Sequence, residues 1–415
     1  MAEYASKVDE REGLEEFSSF MGLRNNVDAA SLGRGDLTTA LNVDVLDDLG
    51  VSRRKGFSTV LTTGVDRDIW ASGSVCLGVG SNTLKLINPD YSVKTLLTGL
   101  TAERPLRDVA VGDRVFWSKG AQKGVVQDGA NRSWGTDVPD LAAVAAGPGS
   151  LLPGLYQYAV TYLRNDGQES GAALAGTIEL TTAGGIDLTA IAVSTDASVT
   201  YKAIYATSVG SETLYQAGVI TNATTSFSIR EPRTGASPLL TQFLQPPPAG
   251  DHVAHQNGYL LVANGARLYP SEPYAPELFD YRKALPFLGR ITMVAPVKGG
   301  VWVGLDSQIG WIAGDTPEAW DFKVVADYGV IPHTLSFADA GTVGDGQGIG
   351  EMVAFFATKR GLCVGMPGGR LMNMTEARFA YPSMNAGAGI VRRHRGTNQF
   401  LVTLQGTETA GNVAA

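Results

Sequence analysis

The chain has 415 residues, of which 18% are charged and 51 are glycine, and its formal net charge is −8. Single hydrophobic cores stop growing at roughly 250–300 residues, so this length predicts two domains or a repeated architecture. The acidic balance argues against a protein that grips nucleic acid, where a basic surface is expected. It is compatible with a surface that DNA passes without adhering.

Two features of the sequence bear on where the chain is made. Its first residues are charged and carry no apolar core, so they are not a signal peptide, and no apolar run approaches the ~18 residues of a membrane helix. The two cysteines, Cys76 and Cys363, form no CxxC pair. We therefore expect free thiols buried on strands, in a protein that folds in a reducing cytoplasm.

Helical periodicity is nearly absent apart from residues 7–17, and a two-residue alternation of apolar and polar side chains follows. Residues 36–62 are predicted to form a hairpin whose turn contains Asp47, Asp48 and Gly50. Later segments repeat one pattern, in which an apolar strand, a turn such as Val111-Gly112-Asp113 and a second alternating strand follow each other. These segments span residues 68–98, 106–137, 252–281, 291–325, 351–381 and 389–405.

A spacing of roughly 30–40 residues between such segments is typical of β-propeller blades. The sequence therefore predicts an all-β chain with a propeller of about six blades. One blade would be completed by the N-terminal hairpin and the C-terminal strands at 389–405, which would protect otherwise exposed strand edges. No WD dipeptide or kelch signature is present, so a large sandwich or an elongated multi-sheet protein is the alternative.

Residues 148–246 depart from this pattern. Gly147-Pro148-Gly149 precedes them, Pro246-Pro247-Pro248 ends them, and turn signals recur every 8–15 residues between alternating strands. Seven short strands without a cysteine pair predict an inserted immunoglobulin-like or fibronectin-III-like sandwich. The predicted organisation is an N-terminal arm at 1–35, propeller segments at 36–147 and 247–405 around the sandwich, and a flexible tail at 406–415.

A search for catalytic chemistry finds no P-loop, GxSxG or HExxH motif in the sequence. His252 and His255 lie three residues apart on a predicted strand, which favours ordinary polar residues over metal ligands. Asp44, Asp47 and Asp48 have a calcium-like spacing but lack the further oxygens of a known loop, so a hairpin tip is favoured. We predict no catalytic, cofactor-binding or metal site and no cofactor. Carboxylates across a propeller pore would suit a glycosidase, but the sequence selects no pair.

Two basic clusters and six tryptophans are the remaining candidates. The clusters are predicted to contact a neighbouring acidic subunit or passing DNA, with solvated strand ends as the alternative, and they would form one positive patch if their strands share a blade. They consist of Arg53, Arg54, Lys55, Arg392, Arg393 and Arg395. The tryptophans are predicted to pack in or between blades. They are Trp70, Trp117, Trp134, Trp302, Trp311 and Trp320.

Several segments together resemble the tail nozzle, or distal tail tube, proteins of short-tailed bacteriophages. The likeness begins with GLRNNVD at 22–28, LNVD at 41–44 and GVSRRKGF at 50–57. It continues through residues 115–120, 132–135, 152–171, 268–280, 361–369 and 373–382. The motifs are structural rather than catalytic, and they extend over nearly the whole chain.

The resemblance implies a propeller with inserted domains, in which six copies form a ring around the DNA channel of the tail. Such a ring docks on portal or adaptor proteins, acts with other tail proteins, and conducts and gates DNA during ejection. It implies a virion protein that is made in the host cytoplasm, does not insert in membranes and is not an enzyme. The alternatives are another tail or stopper protein, a propeller enzyme that degrades envelope polysaccharide, and a receptor-binding or carbohydrate-binding tail protein that uses the sandwich.

Overall fold

The structure, a computed structural model, divides into two compact units. Unit 1 comprises residues 1–62 and 289–415, and unit 2 comprises residues 63–288. The described residues are 19–40, 43–45, 49–54, 56, 58–61, 64–65, 67–72, 75–101, 105–232, 236–342, 350–379, 384–394 and 397–406. Within these ranges all helices are single 3-10 turns, and none is long and apolar enough to cross a membrane. The 3-10 turns span Ala29–Ser31, Tyr281–Lys283, Pro317–Ala319, Ala340–Thr342 and Pro367–Gly369.

The N-terminal part of unit 1 contains two small strand pairs. Strands β1 (Gly22–Leu23) and β2 (Asp36–Leu37) are parallel, whereas β3 (Val43–Val45) and β4 (Val51–Arg53) form an antiparallel hairpin. The predicted hairpin is thus confirmed for residues 43–53, but residues 36–37 pair with β1 instead. The possible helix at 7–17 and the turn residues Asp47 and Asp48 lie outside the described residues.

Unit 2 begins with two antiparallel four-stranded sheets. The first contains β5 (Arg67–Ser72), β6 (Val75–Gly80), β7 (Thr83–Ile87) and β8 (Val93–Leu97). The second contains β9 (Arg107–Val111), β10 (Arg114–Lys119), β11 (Gln122–Gln127) and β12 (Ala130–Arg132). Both contribute to one apolar core that includes Leu77, Leu84, Val115 and Trp117. The strand groups predicted at 68–98 and 106–137 are therefore confirmed.

The following segment forms a three-stranded and a four-stranded sheet with a shared core that includes Tyr158, Ile186 and Ile204. Its strands are β13 (Ala143–Leu151), β14 (Gly154–Arg164), β15 (Gly176–Leu180), β16 (Gly184–Thr189), β17 (Val199–Ala206), β18 (Tyr215–Thr221) and β19 (Phe227–Ile229). We call residues 143–232 the two-sheet module. Pro148 does not mark its entry, as the sequence suggested, because β13 runs through it and the pairing with β16 shifts register between Gly147 and Leu151.

The last sheet of unit 2 packs on the sheet of β9–β12 through a core that includes Phe116, Trp134, Leu260 and Phe279. Its strands are β20 (His252–Gln256), β21 (Tyr259–Asn264), β22 (Arg267–Glu272), β23 (Ala275–Phe279) and β24 (Leu285–Pro286). The predicted strand group at 252–281 is confirmed. Two sheets that precede the two-sheet module and one that follows it therefore pack on one another, and the sheet of β9–β12 shares a core with each of the other two.

The C-terminal part of unit 1 contains two four-stranded sheets and a long hairpin. The first sheet contains β25 (Ile291–Val297), β26 (Gly300–Leu305), β27 (Ile309–Ala313) and β28 (Asp321–Ala326). The second contains β29 (Ser336–Asp339), β30 (Met352–Thr358), β31 (Gly361–Gly365) and β32 (Leu371–Asn373). The hairpin consists of β33 (Met384–His394) and β34 (Thr397–Gly406). Trp302 and Phe356 lie in a core that both sheets share, and Phe400 of the hairpin contacts Phe355.

Glycines within strands make room for buried tryptophans. Trp117 lies opposite Gly124 in the register of β10 and β11, and a Cβ atom on Gly124 would lie 2.7 Å from the indole ring. A Cβ atom on Gly365 of β31 would likewise lie 2.7 Å from the indole of Trp302, which belongs to the other four-stranded sheet of unit 1. Both indoles are fully buried. Real Cβ atoms do not approach other heavy atoms so closely, so the residue opposite the indole has to be glycine.

The all-β class is confirmed, and so is the core role of four tryptophans. Trp117, Trp134, Trp302 and Trp311 are buried, whereas Trp70 and Trp320 keep part of their surface. The predicted blade built jointly from N-terminal and C-terminal strands is not observed. In the parts of the chain described, β3–β4 and β33–β34 are two separate two-stranded sheets.

Candidate functional site

The two basic clusters meet at one buried carboxylate, which we call the Asp44 cluster, formed by Asp44, Arg54 and Arg392. Asp44 on β3 is 9% exposed. Its Oδ1 accepts a hydrogen bond from Nε of Arg54 at 3.1 Å and forms an ion pair with Nη2 of the same guanidinium, also at 3.1 Å. Arg392 on β33 places Nη2 3.7 Å from Oδ2 of Asp44 and donates through Nε to Gln399. These two arginines of the clusters thus neutralise one carboxylate, whereas the contact with a neighbouring subunit or DNA stays a prediction.

The other members of the clusters are placed differently. Arg53 and Arg393 are exposed, and neither forms a side-chain hydrogen bond or ion pair with the residues that the structure describes. Lys55 and Arg395 lie outside the described residues. Arg53 and Arg393 are therefore the members of the predicted contact set whose charges are available to another molecule.

A second buried carboxylate in unit 1 has a matching arrangement, which we call the Asp36 cluster: Asp36, Arg24 and Arg378. The side chain of Asp36 is 5% exposed, accepts a hydrogen bond from Arg24 Nη1 at 3.2 Å, and forms an ion pair with Arg378. The backbone amide of Asn25 also donates to the carbonyl of Arg378 at 3.1 Å. Burial alone would raise the pKa of Asp36, but the bonds from Arg24 and the Gly33 amide, with the charge of Arg378, hold that pKa below its usual value.

Both clusters join the N-terminal part of unit 1 to its C-terminal part. In each, one arginine comes from residues before 60 and the other from residues after 370, while the aspartate lies on β2 or β3. Sequence reasoning missed the Asp36 cluster and assigned Asp44 to a hairpin tip. An ion pair between distant residues leaves no periodic signal in the sequence. An acidic residue on a short strand was the one local feature that could have drawn attention to Asp36.

A third group of charges lies in unit 2, where the first strands of its first two sheets approach each other. Asp68 on β5 accepts a hydrogen bond from the Leu106 amide at 3.1 Å, and Lys119, which is fully buried, places Nζ 3.5 Å from its Oδ2. Asp108 Oδ2 and two nitrogens of Arg107 are shielded from solvent and have no hydrogen-bond partner among the residues that the structure describes. These four side chains form what we call the Asp108 cluster: Asp68, Arg107, Asp108 and Lys119.

The surroundings of the Asp108 cluster change the pKa of Asp108. Burial raises the pKa of Asp108 well above its usual value; Arg107 opposes that shift and the charge of Asp68 adds to it. Burial likewise lowers the pKa of Arg107. The carboxyl of Asp108 therefore holds its proton at higher pH than an ordinary aspartate. A carboxyl with a raised pKa is typical of general acids in active sites, although structural charge networks produce such a shift as well.

The two-sheet module is fixed to two neighbouring sheets of unit 2 by charged side chains. Glu277 on β23 accepts hydrogen bonds from Arg114 Nη1 of β10 at 2.6 Å and from Gln168 Nε2 of the module at 2.9 Å. Arg164, whose side chain is 1% exposed, lies 3.6 Å from Asp166 and reaches the carbonyl of Gly135. The module is thus held by the hydrogen bonds of Gln168 and Arg164, and Arg132 of β12 adds an ion pair with Asp166 of the module.

Thiols and histidines contribute no ligand set. Cys76 on β6 and Cys363 on β31 are free, and Cys363 is fully buried while Cys76 is partly exposed. Burial raises the pKa of the Cys363 thiol to about 11. His252 and His255 both lie on β20. Within the described ranges no three His, Cys, Asp or Glu side chains are grouped so that they would hold a metal ion.

Comparisons with known proteins give only distant similarity. No family model and no curated protein matches the chain. Among solved structures, the extracellular domain of a one-component system from B. thetaiotaomicron is 13% identical with a TM-score of 0.30, and the match covers 81% of this chain but only 37% of that one. Virginiamycin B lyase from Staphylococcus aureus is 10% identical at a TM-score of 0.32, with 81% and 93% covered. BBS1N in complex with ARL6DN is 8% identical at 0.33, with 85% and 95% covered. Superpositions this loose carry no conclusion about activity or partners.

Proposed function

We propose that this chain is a structural component of a bacteriophage tail, namely the nozzle or distal tube ring that conducts and gates DNA during ejection. In this proposal the small sheets are the blades of a β-propeller, the two-sheet module is an immunoglobulin-like or fibronectin-III-like insertion, and six copies form the ring. The sequence resemblance to tail nozzle proteins supports the role. The packing of successive four-stranded and five-stranded sheets within unit 2 supports the propeller.

The observation that carries the proposal is the way the two-sheet module is fixed in place. Glu277 joins Arg114 of one sheet to Gln168 of the module, buried Arg164 reaches the carbonyl of Gly135, and Asp166 of the module pairs with Arg132 of β12. Partly buried, hydrogen-bonded charges specify one relative position, because any displacement leaves a charge without its partner. A module fixed in this way suits a tube that withstands the passage of DNA under pressure better than a swinging recognition arm.

The neighbouring subunit, rather than DNA, is the partner we propose for the exposed arginines. Arg53 and Arg393 carry uncommitted charges, and each subunit has a formal net charge of −8. A closed ring repeats one heterologous interface, so Arg53 and Arg393 of each subunit would meet an acidic surface of the next. Arg54 and Arg392 act within the subunit, through Asp44.

Assembly of the purified full chain tests the ring. Mass photometry and negative-stain electron microscopy are expected to show closed six-membered rings with a central opening, and a chain that stays monomeric at micromolar concentration would refute the ring. Arg53→Glu and Arg393→Glu should each weaken assembly, whereas Arg267→Glu, an equally exposed strand arginine in unit 2, should not. Equal effects of all three variants would show that the surface charge in general, and not the position of Arg53 and Arg393, determines assembly.

The position in the particle is a separate test. Cryo-electron microscopy of the phage that carries this chain is expected to locate six copies at the distal end of the tail, next to portal or adaptor proteins. A location in the capsid shell, or absence from particles, would overturn the tail assignment irrespective of what the purified chain does.

One observation favours a second candidate function, the hydrolysis of envelope polysaccharide. The Asp108 cluster places a carboxyl with a raised pKa, that of Asp108, near a second carboxyl, that of Asp68, and Asp108 would serve as the general acid of a glycosidase. Incubation of the full chain with host envelope glycans, followed by mass spectrometry of the soluble products, tests this function. Products that disappear in both Asp108→Asn and Asp68→Asn would establish it; no products from the unaltered chain would exclude it.

A further inference from the structure

An apolar cavity of about 230 Å³ opens at one end of the two-sheet module. Its inner wall is formed by Ile186, Ala217 and Ile229, which are buried and come from both sheets. Leu151 and Tyr156 add further apolar surface. An apolar cavity of about 150 Å³ in another protein stays dry and takes up benzene, so a larger one accommodates a bulky apolar group such as an aromatic ring system.

The mouth of this cavity is apolar on one side and charged on the other. Leu152 and Val209 are 59% and 39% exposed and line the entrance together with exposed Pro232, and we call these three residues the collar. The carboxylate of Glu231 and the hydroxyl of Ser208 also line the entrance and have no hydrogen-bond or ion-pair partner among the described residues. The entrance therefore combines apolar surface with one uncommitted negative charge.

We propose that the cavity and its collar form a docking site for a partner polypeptide, which inserts one bulky apolar side chain flanked by a basic residue. The collar argues for a polypeptide rather than a free small molecule, because a molecule that fits the cavity leaves Leu152, Val209 and Pro232 exposed. Buried anchors surrounded by apolar contacts are the usual energetic centre of protein interfaces. The unpaired Glu231 carboxylate selects a positive charge beside the anchor.

This site goes beyond the proposed tail function and does not depend on the ring. It gives the two-sheet module an activity of its own, the capture of a second protein at the end of the module where β17 ends and β18 begins. A second copy of this chain and a free apolar amine are the competing occupants, and the experiment separates them from a partner polypeptide.

Fluorescence anisotropy with the full chain measures the binding of a labelled, end-blocked peptide of sequence Gly-Ser-Lys-Trp-Lys-Ser-Gly. One buried aromatic anchor supports a Kd of about 0.1–1 mM. Replacing the tryptophan of the peptide by alanine should weaken binding at least about tenfold. Replacing both lysines by glutamate should weaken it about threefold or more, because a charge at an exposed rim contributes little. A peptide that binds equally well without its tryptophan would overturn the proposal.

Two variants and a matched control test the site on the protein. Ala217→Leu fills the cavity and should abolish binding, whereas Glu231→Gln leaves the cavity open and should weaken binding of the lysine peptide about threefold but not that of the glutamate peptide, whose repulsion by Glu231 it removes. Glu212→Gln removes an exposed carboxylate from the β17–β18 loop that does not line the cavity, and it should change nothing. If Ala217→Leu fails to fold, Glu231→Gln still decides the matter: unaltered lysine-peptide binding refutes the proposed charge selection.

Each competing occupant of the cavity predicts a different experimental result. Tryptamine that binds as tightly as the peptide would show that the collar adds nothing, and would replace the partner polypeptide by a free apolar amine. Self-association of the chain that Ala217→Leu or Glu231→Gln abolishes, while Glu212→Gln preserves it, would identify a second copy as the occupant. Peptide binding that exceeds tryptamine binding, together with unaltered self-association of the variants, is the result expected for a separate partner.

Discussion

Asp44→Asn removes the charge on which Arg54 and Arg392 converge, so it should loosen two distant hairpins at once. The aspartate is 9% exposed, whereas Arg54 and Arg392 are 40% and 28% exposed. Hydrogen bonds to charged groups contribute about 1.5–3 kcal/mol, and exposed ion pairs only about 0.2–1 kcal/mol. The mixed exposure puts the expected loss between these ranges, at about 1–2 kcal/mol.

Hydrogen–deuterium exchange resolves this loss by segment, which suits a chain of two units better than one global unfolding curve. Amides of β3–β4 and of β33–β34 should exchange roughly 5–30-fold faster in Asp44→Asn, the factor that corresponds to 1–2 kcal/mol. Asp321→Asn is the matched control, because that carboxylate pairs with Lys323 and both side chains are more than 60% exposed. Its neighbourhood should show little change.

The reasoning would be refuted if Asp44→Asn and Asp321→Asn had the same small effect, or if β3–β4 alone became faster. A double-mutant cycle with Arg54→Met and Arg392→Met gives an independent check. Because both arginines act through one carboxylate, their effects should not add.

Three further predictions concern single positions. In the Asp36 cluster the pKa of Asp36 is lower in the folded chain than its ordinary value of 3.8, so the ionised carboxylate stabilises the fold fully above pH 3.8 and this stabilisation is lost as the pH falls through the folded pKa. Amide protection of β1–β2, corrected for the intrinsic pH dependence of exchange, should therefore be constant at about pH 5–7 and decrease below 3.8. Asp36→Asn should remove this pH dependence. Gly124→Ala should lower stability by about 1–3 kcal/mol in a thermal melt, because its Cβ meets Trp117, while Gly56→Ala, with open space at that position, should not. With its pKa raised to about 11, the Cys363 thiol should react with a disulfide reagent at pH 8 only after unfolding.

Local alternation and turn chemistry were sufficient to predict most strands. Segments such as 106–137 and 252–281 contain apolar runs bounded by glycine turns, and these signals lie within a few residues of the strands they define. Two errors have the same physical origin. The strand β29 was missed because four residues carry too little pattern, and Pro148 was taken for a boundary although it occupies an irregular stretch of β13.

The candidate sites were far less predictable, because they depend on contacts between distant residues. The sequence identified Arg54 and Arg392 as members of basic clusters, but nothing in their spacing indicated that Asp44 would neutralise both. Burial of Asp108 and the cavity beside Ala217 are tertiary properties that leave no local signal. Nothing in the sequence indicated that an in-strand glycine such as Gly124 accommodates an indole ring.

The division of the chain has a consequence for its synthesis. Unit 2 is one continuous stretch, residues 63–288, whereas unit 1 combines residues before 63 with residues after 288. Domains fold as units while the ribosome extends the chain. Unit 2 can therefore acquire its native contacts while unit 1 is incomplete, and β3 and β4 have to wait until β33 has left the ribosome before Arg392 reaches Asp44. During that interval β1–β4 lack their C-terminal partners, so a chaperone that binds nascent chains would find these strands exposed for longest.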